Sequence, residues 1–261
     1  MYDALSLSFV KLGLFPPLIK SILAQPADQL ESCATSRVLE LCACHKEGIQ
    51  VLQGHLEPIV CLCDRFLAPT FDLVSVRYPA ATVLLDLTAS EECIERVGHL
   101  IMQKNMIEVV LRELRLAMNR KLGKTSLFMK VYHQRYRDLM IGIVLNVTCN
   151  IENPQIIDYL LKKDIVRALT QILVDSRHDW PTNGAALALL QFAHSSLQDS
   201  DLFFKLEDAE VYGVMQRFLV ECGNKETKRH MHEAVAFIEM ARQKMRGITQ
   251  IYTMHQFAAC A

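Results

Sequence analysis

The stretch Leu145-Asn146-Val147-Thr148-Cys149-Asn150-Ile151-Glu152-Asn153 decides how the chain is read. An apolar run through Ile156, Ile157, Leu160 and Leu161 follows, then the polar break Lys162-Lys163-Asp164, then Ile165-Val166-Arg167-Ala168-Leu169-Thr170-Gln171-Ile172-Leu173. This spacing predicts the end of one helix, a short second helix, and a third helix after a tight polar turn. The unit has apolar faces with no partner inside it, so copies are expected beside it.

Four other stretches follow the same order of apolar, polar, apolar, small and polar exit. They are Leu39–Cys44, Leu85–Ser90, Leu190–Ser195 and, more weakly, Ile238–Gln243. Their first residues and Leu145 are spaced by 46, 60, 45 and 48 residues. Three of these spacings lie close to the roughly 40–47 residues of helical repeats, and the longer one contains an insertion. A second phase keeps step with the first. Gly13-Leu14-Phe15-Pro16-Pro17-Leu18-Ile19, Gly54-His55-Leu56-Glu57-Pro58-Ile59-Val60, Met106–Leu111 and Asp164–Leu169 occupy one slot. Proline is well placed near a helix start, where its missing N–H would have no partner anyway.

The residues at 146–153, the apolar helix after them and Ile165–Leu173 resemble the armadillo-repeat consensus. That consensus joins a helix ending in Leu-x-Asn-Leu-Ser to Glu-Asn and then to Gly-x-Ile-Pro-x-Leu-Val-x-Leu-Leu. Segments 13–23 and 54–63 resemble its second half, and the likeness covers roughly residues 5–245, most faithfully 142–195. HEAT repeats, without the short first helix, are the neighbouring possibility. The resemblance implies an all-α, right-handed superhelical solenoid of about five repeats, filling residues 1–261 as a single domain. The first unit is incomplete before Gly13, so the chain is expected to belong to a longer protein; residues 242–261 are expected to be an atypical capping segment.

Composition agrees with a helical, non-secreted protein. Hydrophobic residues make up 51% of the 261, enough for a core, while Gly (10) and Pro (8) are scarce. No run of alternating β-branched residues marks a strand. No uncharged apolar stretch reaches the roughly 18–20 residues that span a bilayer, so no membrane association is expected. Met1-Tyr2-Asp3-Ala4 lacks the basic start of a signal peptide, and the nine cysteines are expected as thiols in the cytoplasm, or in the nucleus or at the centrosome.

Net charge is only −1, but it is unevenly spread. Between residues 112 and 137, Arg112, Arg115, Arg120, Lys121, Lys124, Lys130, Arg135 and Arg137 face only Glu113 in the count, leaving the insertion at +7. Such a patch suits an acidic partner, a phosphorylated peptide or a nucleic acid, although nothing here resembles a base-reading motif. A solvated loop or lengthened helices with no partner explain the same composition.

Motifs for chemistry fail on inspection. Gly123-Lys124-Thr125 has Met118 where a phosphate-binding loop needs glycine. Cys42-Ala43-Cys44-His45 and Cys61-Leu62-Cys63 have the wrong spacing for structural zinc, and Cys42 occupies the small slot filled elsewhere by Thr88, Thr148, Ala193 and Ala241. His230 and His232 cannot share a helix face at i, i+2 spacing. No enzyme activity, metal or cofactor is expected.

In armadillo proteins the consensus Asn faces the concave groove, which implies Glu40, Asp86, Asn146, Gln191 and Glu239 as groove positions here; only Asn146 keeps the family residue. The import receptors of that family carry Trp one turn earlier. Here that place holds Ser36, Thr82, Gly142, Leu187 and Val235, and Trp180 is expected in a loop before Pro181. The expected function is a non-catalytic scaffold or adaptor that binds a protein or peptide segment along this face. A nucleic-acid- or acidic-partner-binding role for 112–137 and a self-assembling structural module are the alternatives, with the oligomeric state open.

Overall fold

The computed structural model describes residues 8–25, 31–119, 126–149, 153–175 and 179–259, the side chains of the last helix being described as far as Arg246. The described residues form helices joined by short turns, without a strand, and none of their helices is long and apolar enough to cross a membrane. The first helix described in full is α1 (Phe15–Leu23). After it come α2 (Ser32–Ala43), α3 (Lys46–Gln53) and α4 (Leu56–Phe66). A π-helical turn (Leu73–Arg77) leads into α5 (Tyr78–Ala89), followed by α6 (Ile94–Gln103) and α7 (Met106–Asn119). Then come α8 (Leu127–Cys149), α9 (Pro154–Lys162) and α10 (Ile165–Asp175). The chain closes with α11 (Asp179–Ser195), α12 (Ser200–Asp208), α13 (Val211–Glu221) and α14 (Lys225–Ala259).

Helix ends fall where the sequence pattern places them. α2, α5, α8 and α11 stop at Ala43, Ala89, Cys149 and Ser195, each at or next to a predicted polar exit. The fifth copy differs: Ile238–Gln243 lies inside α14, which runs on unbroken to Ala259. Ala241, Gln243, Lys244, Met245 and Arg246 are good helix formers, so nothing there terminates the ladder. Trp180 and Pro181 are also helical rather than in a loop, because proline in the first turn of α11 removes only an N–H that has no intrahelical acceptor.

The turns that lead into α7, α10 and α13 share a device. Asn105, Asp164 and Glu210 have φ of 54°, 63° and 54°, and Gly13, before α1, has 61°. A left-handed residue lets the chain reverse within two residues after a short helix. Side-chain caps begin other elements: Asp72 accepts from the N–H groups of Val74 and Ser75, and Asp199 from those of Asp201 and Leu202. The hydrogen bonds to Ser75 hold the Asp72 carboxyl below its ordinary value.

The chain forms two compact units, Met1–Tyr159 and Leu160–Ala261. In the first, α5 packs against both α2 and α8, and α8 also packs against α7. In the second, α11 packs against α10 and α14, and α14 against α13. Apolar side chains such as Leu39, Leu84, Leu87 and Val144 in the first unit, and Leu169, Leu189 and Ile238 in the second, are fully buried or nearly so. Each such side chain contributes on the order of 1.5–3 kcal/mol of transfer free energy.

The small slot of the pattern is buried in every copy: Cys42, Thr88, Thr148, Ala193 and Ala241 all lie in the interior. Cys42 Sγ donates to the Gly48 carbonyl at 3.3 Å, and burial pushes its thiol up to about 12, so it packs as a protonated, inert group. Gly48 faces the end of α2 so closely that a Cβ there would lie 1.8 Å from the Cys42 carbonyl oxygen.

Candidate functional site

The α2–α5–α8 row of the first unit brings three of the expected groove residues together. Glu40, Asp86 and Asn146 sit on these three helices in turn. Glu40 is held by Arg37 at 2.7 Å, whose other guanidinium nitrogen donates to the Val74 carbonyl at 2.8 Å. Burial, and then the negative charge of Glu40, lift the Asp86 carboxyl to about 7. Asn146 does not reach outward with its amide N–H groups: Nδ2 donates to the Leu85 carbonyl at 3.4 Å and to Thr88 Oγ1 at 3.3 Å. It ties α8 to α5 where Gly142 already brings them close, a Cβ at 142 falling 2.6 Å from Leu85 Cδ1.

Aromatic residues extend the same face. Tyr78, Thr82 and Asp86 recur every fourth residue along α5, and Phe128, Tyr132 and Arg135 follow one stripe of α8. The Tyr78 and Tyr132 rings meet edge to face at 5.4 Å, and Phe128 lies 4.8 Å from Tyr132. Burial raises the Tyr78 phenol, and the neighbouring Arg135 guanidinium opposes that rise. Phe128 is 60% exposed, so the aromatic cluster opens to solvent at one end. An acid pair, a cation and accessible aromatic surface therefore lie within one face.

The remaining groove positions belong to the second unit. Gln191 is exposed on α11. Glu239, exposed on α14, accepts a hydrogen bond from Tyr212 at 2.6 Å, which raises the tyrosine's pKa. Arg242 lies over the Tyr212 ring at 4.1 Å and is held by Glu207 at 2.9 Å.

The basic insertion becomes the facing ends of two helices, α7 and α8. Arg112, Arg115 and Arg135 are exposed there, Lys130 is half-buried, and Arg137 is half-buried beside Asp138 at 3.3 Å. Arg120, Lys121 and Lys124, with the Gly123-Lys124-Thr125 triplet, lie outside the described residues, as do Asn150, Ile151 and Glu152. Glu113, counted in the sequence as the acid opposing this patch, is 1% exposed and turned into the interior. There it accepts a hydrogen bond from Arg77 Nη2, with Tyr136 Oη 3.4 Å from the same carboxylate oxygen. Arg112 Nε approaches its other oxygen at 3.6 Å.

The Arg77–Glu113 ion pair lines a cavity of about 440 Å³, between the π-helical turn, α7 and α8. Pro69, Leu73, Leu116 and Ala117 supply apolar walls, Arg77, Glu113, His133 and Tyr136 a polar floor, and Arg115 a cation. Arg77 Nε and Glu113 Oε1 are buried without a hydrogen-bond partner. Burial drives the Tyr136 phenol well above its ordinary value, so it remains a neutral donor. Sequence reasoning missed this network, although one signal was present. Met106, Val110, Glu113 and Ala117 follow helical spacing, which places an acid in an apolar stripe.

No protein-family model matches the chain, and no curated protein matches it in sequence. Among solved structures it is similar in fold to two engineered proteins from the Northeast Structural Genomics Consortium. One superposes with a TM-score of 0.56 at 18% identity, over 92% of this chain and 85% of the other. The second gives 0.57 at 18% identity, over 90% of this chain and half of its own length. At that identity the likeness concerns fold alone, and the chain is established as an all-helical protein with engineered structural neighbours.

Proposed function

We propose that this protein is a non-catalytic scaffold built of armadillo-like helical repeats, which holds a segment of another protein across the α2–α5–α8 face. The repeat reading is supported by the recurring helix ends, the buried small slot and the left-handed turn residues at Asn105, Asp164 and Glu210. A right-handed solenoid is the architecture this reading implies, with the cytosol as the compartment that keeps its cysteines as thiols.

The observation that carries the functional reading is the grouping of Tyr78, Tyr132 and Phe128 beside Glu40, Asp86 and Arg135. Interface energy concentrates in a few aromatic or charged anchors, and this face supplies both kinds within one row of packed helices. A basic side chain placed at Asp86 would favour its carboxylate form, coupling binding to loss of a proton.

Affinity capture with mass spectrometry tests the reading, comparing wild type with Tyr132→Ala plus Asp86→Lys. Partners lost from the variant, with helical circular dichroism unchanged, are the expected result. Retention of every partner would overturn it.

A further inference from the structure

Independently of that face, we propose that the cavity between the π-helical turn, α7 and α8 is a docking site for an acidic peptide segment carrying a large apolar side chain. Its volume of about 440 Å³ lies within the range of pockets that hold small organic groups. The walls set the first requirement. Pro69, Leu73, Leu116 and Ala117 offer apolar surface, and Leu116 stands 56% exposed at this site while its helix neighbour Leu114 is buried. A leucine left open to water beside an apolar cavity gains hydrophobic free energy when a second apolar group covers it.

The rim sets the second requirement. Arg115 lines the cavity and is exposed, and Arg112 lies one helical turn before Leu116 on α7. On α8, Lys130 is three residues before His133 and so lies along the cavity-facing stripe. Of the acids nearby, Glu113 is paired in the floor with Arg77 and lies 3.6 Å from Arg112 Nε, and Asp64 is close enough to feel the Arg112 charge, whereas Arg115 and Lys130 add positive charge beyond these. The rim therefore presents an excess of positive charge around an apolar centre, which complements carboxylates flanking an apolar anchor. A π-helical turn forming one wall fits a binding role, since such distortions cluster at functional sites.

A nucleic acid would satisfy the cations but leave the apolar walls uncovered. The two ligand classes therefore separate in one experiment. Fluorescence anisotropy is measured with a fluorescein-labelled octapeptide, Asp-Glu-Asp-Leu-Phe-Asp-Glu-Asp, a control with Ser-Gly replacing Leu-Phe, and a single-stranded oligouridylate of equal charge. The Leu-Phe peptide is expected to bind at least tenfold more tightly than the other two. Arg115→Glu and Leu116→Asp should each weaken it about tenfold, while Asp86→Asn leaves it unchanged.

Both rim residues are exposed, so these variants should keep the wild-type circular dichroism; Arg115→Ala supplies a milder version of the same test. No binding of the Leu-Phe peptide, equal binding of the Ser-Gly control or tighter binding of the oligouridylate would each overturn the assignment. So would rim variants that fold and bind as wild type does. Failure here would leave the α2–α5–α8 reading standing, because that reading is tested by Tyr132 and Asp86.

Discussion

Asp86 on α5 and Glu40 on α2 are close enough for the charge of one to hold the proton of the other, with burial the larger part of the effect on Asp86. The folded Asp86 carboxyl titrates at about 7, against 3.8 for the ordinary group. A raised folded-state pKa means that the folded protein binds this proton more tightly than the unfolded chain does. Its contribution to stability is therefore fully present below about 3.8, falls as pH rises through the interval, and is gone above about 7. Asp86→Asn removes the titration. It should stabilise the protein at pH 8 by about 1–2 kcal/mol, after allowance for solvent screening at a half-buried site, and have little effect at pH 4.5. Urea unfolding followed by circular dichroism at the two pH values checks this, and an equal effect at both would exclude it.

Gly48 and Gly142 both stand where a Cβ would collide, but with different kinds of neighbour. At 48 the obstacle is the backbone carbonyl of Cys42, at 1.8 Å; at 142 it is the end of the Leu85 side chain, at 2.6 Å. A leucine Cδ can rotate away, whereas a carbonyl at a helix end cannot move without shifting the helix. Gly48→Ala is expected to cost about 3 kcal/mol and Gly142→Ala about 1 kcal/mol. Chemical denaturation of the two variants tests the order, and a larger loss at 142 would contradict it.

Half-buried Arg77 and fully buried Glu113 form an ion pair whose leftover atoms, Arg77 Nε and Glu113 Oε1, lack hydrogen bonds. Removing Arg77 leaves the Glu113 carboxylate in the interior without its closest cation. Arg77→Met should therefore destabilise the fold by about 3 kcal/mol. Replacing both residues, as Arg77→Met with Glu113→Leu, should recover most of that loss, because neither charge must then be desolvated. A thermal-melting series of Arg77→Met, Glu113→Leu and the double variant measures the coupling, and additive losses would refute it.

Glu210 adopts a left-handed backbone conformation, φ 54°, in the turn before α13. That conformation costs an L-residue roughly 1–2 kcal/mol relative to glycine, and more for a β-branched side chain. Glu210→Gly is predicted to be neutral or slightly stabilising, and Glu210→Val to lower stability by about 1–2 kcal/mol. Melting temperatures of the pair decide it. The prediction fails if Val is tolerated as well as Gly.

Helix boundaries were legible in the amino-acid order because local chemistry makes them. The small residues at Cys42, Thr88, Thr148 and Ala193, followed by polar exits, end four helices where the repeat pattern puts them. The failures, at Ile238–Gln243 and at Trp180–Pro181, are also local: good helix formers continue through the first so that α14 does not stop, and proline is tolerated in the first turn of α11.

The functional surface was less legible, because its members come from different helices. Composition counts Glu113 against a basic segment, but only packing reveals that it is buried and pairs with Arg77, 36 residues away, as well as with its neighbour Arg112. Likewise, the resemblance selects Asn146 as a groove residue, while the approach of α5 to α8 gives its amide N–H groups partners at Leu85 and Thr88. The sequence by itself determined the helices, their order and the turns that reverse the chain, since these rest on propensities and spacings within a few residues. Tertiary structure alone decided which charges are buried, which aromatic rings meet and where the cavity lies. Those outcomes depend on distances between side chains far apart in the chain, which local spacing does not encode.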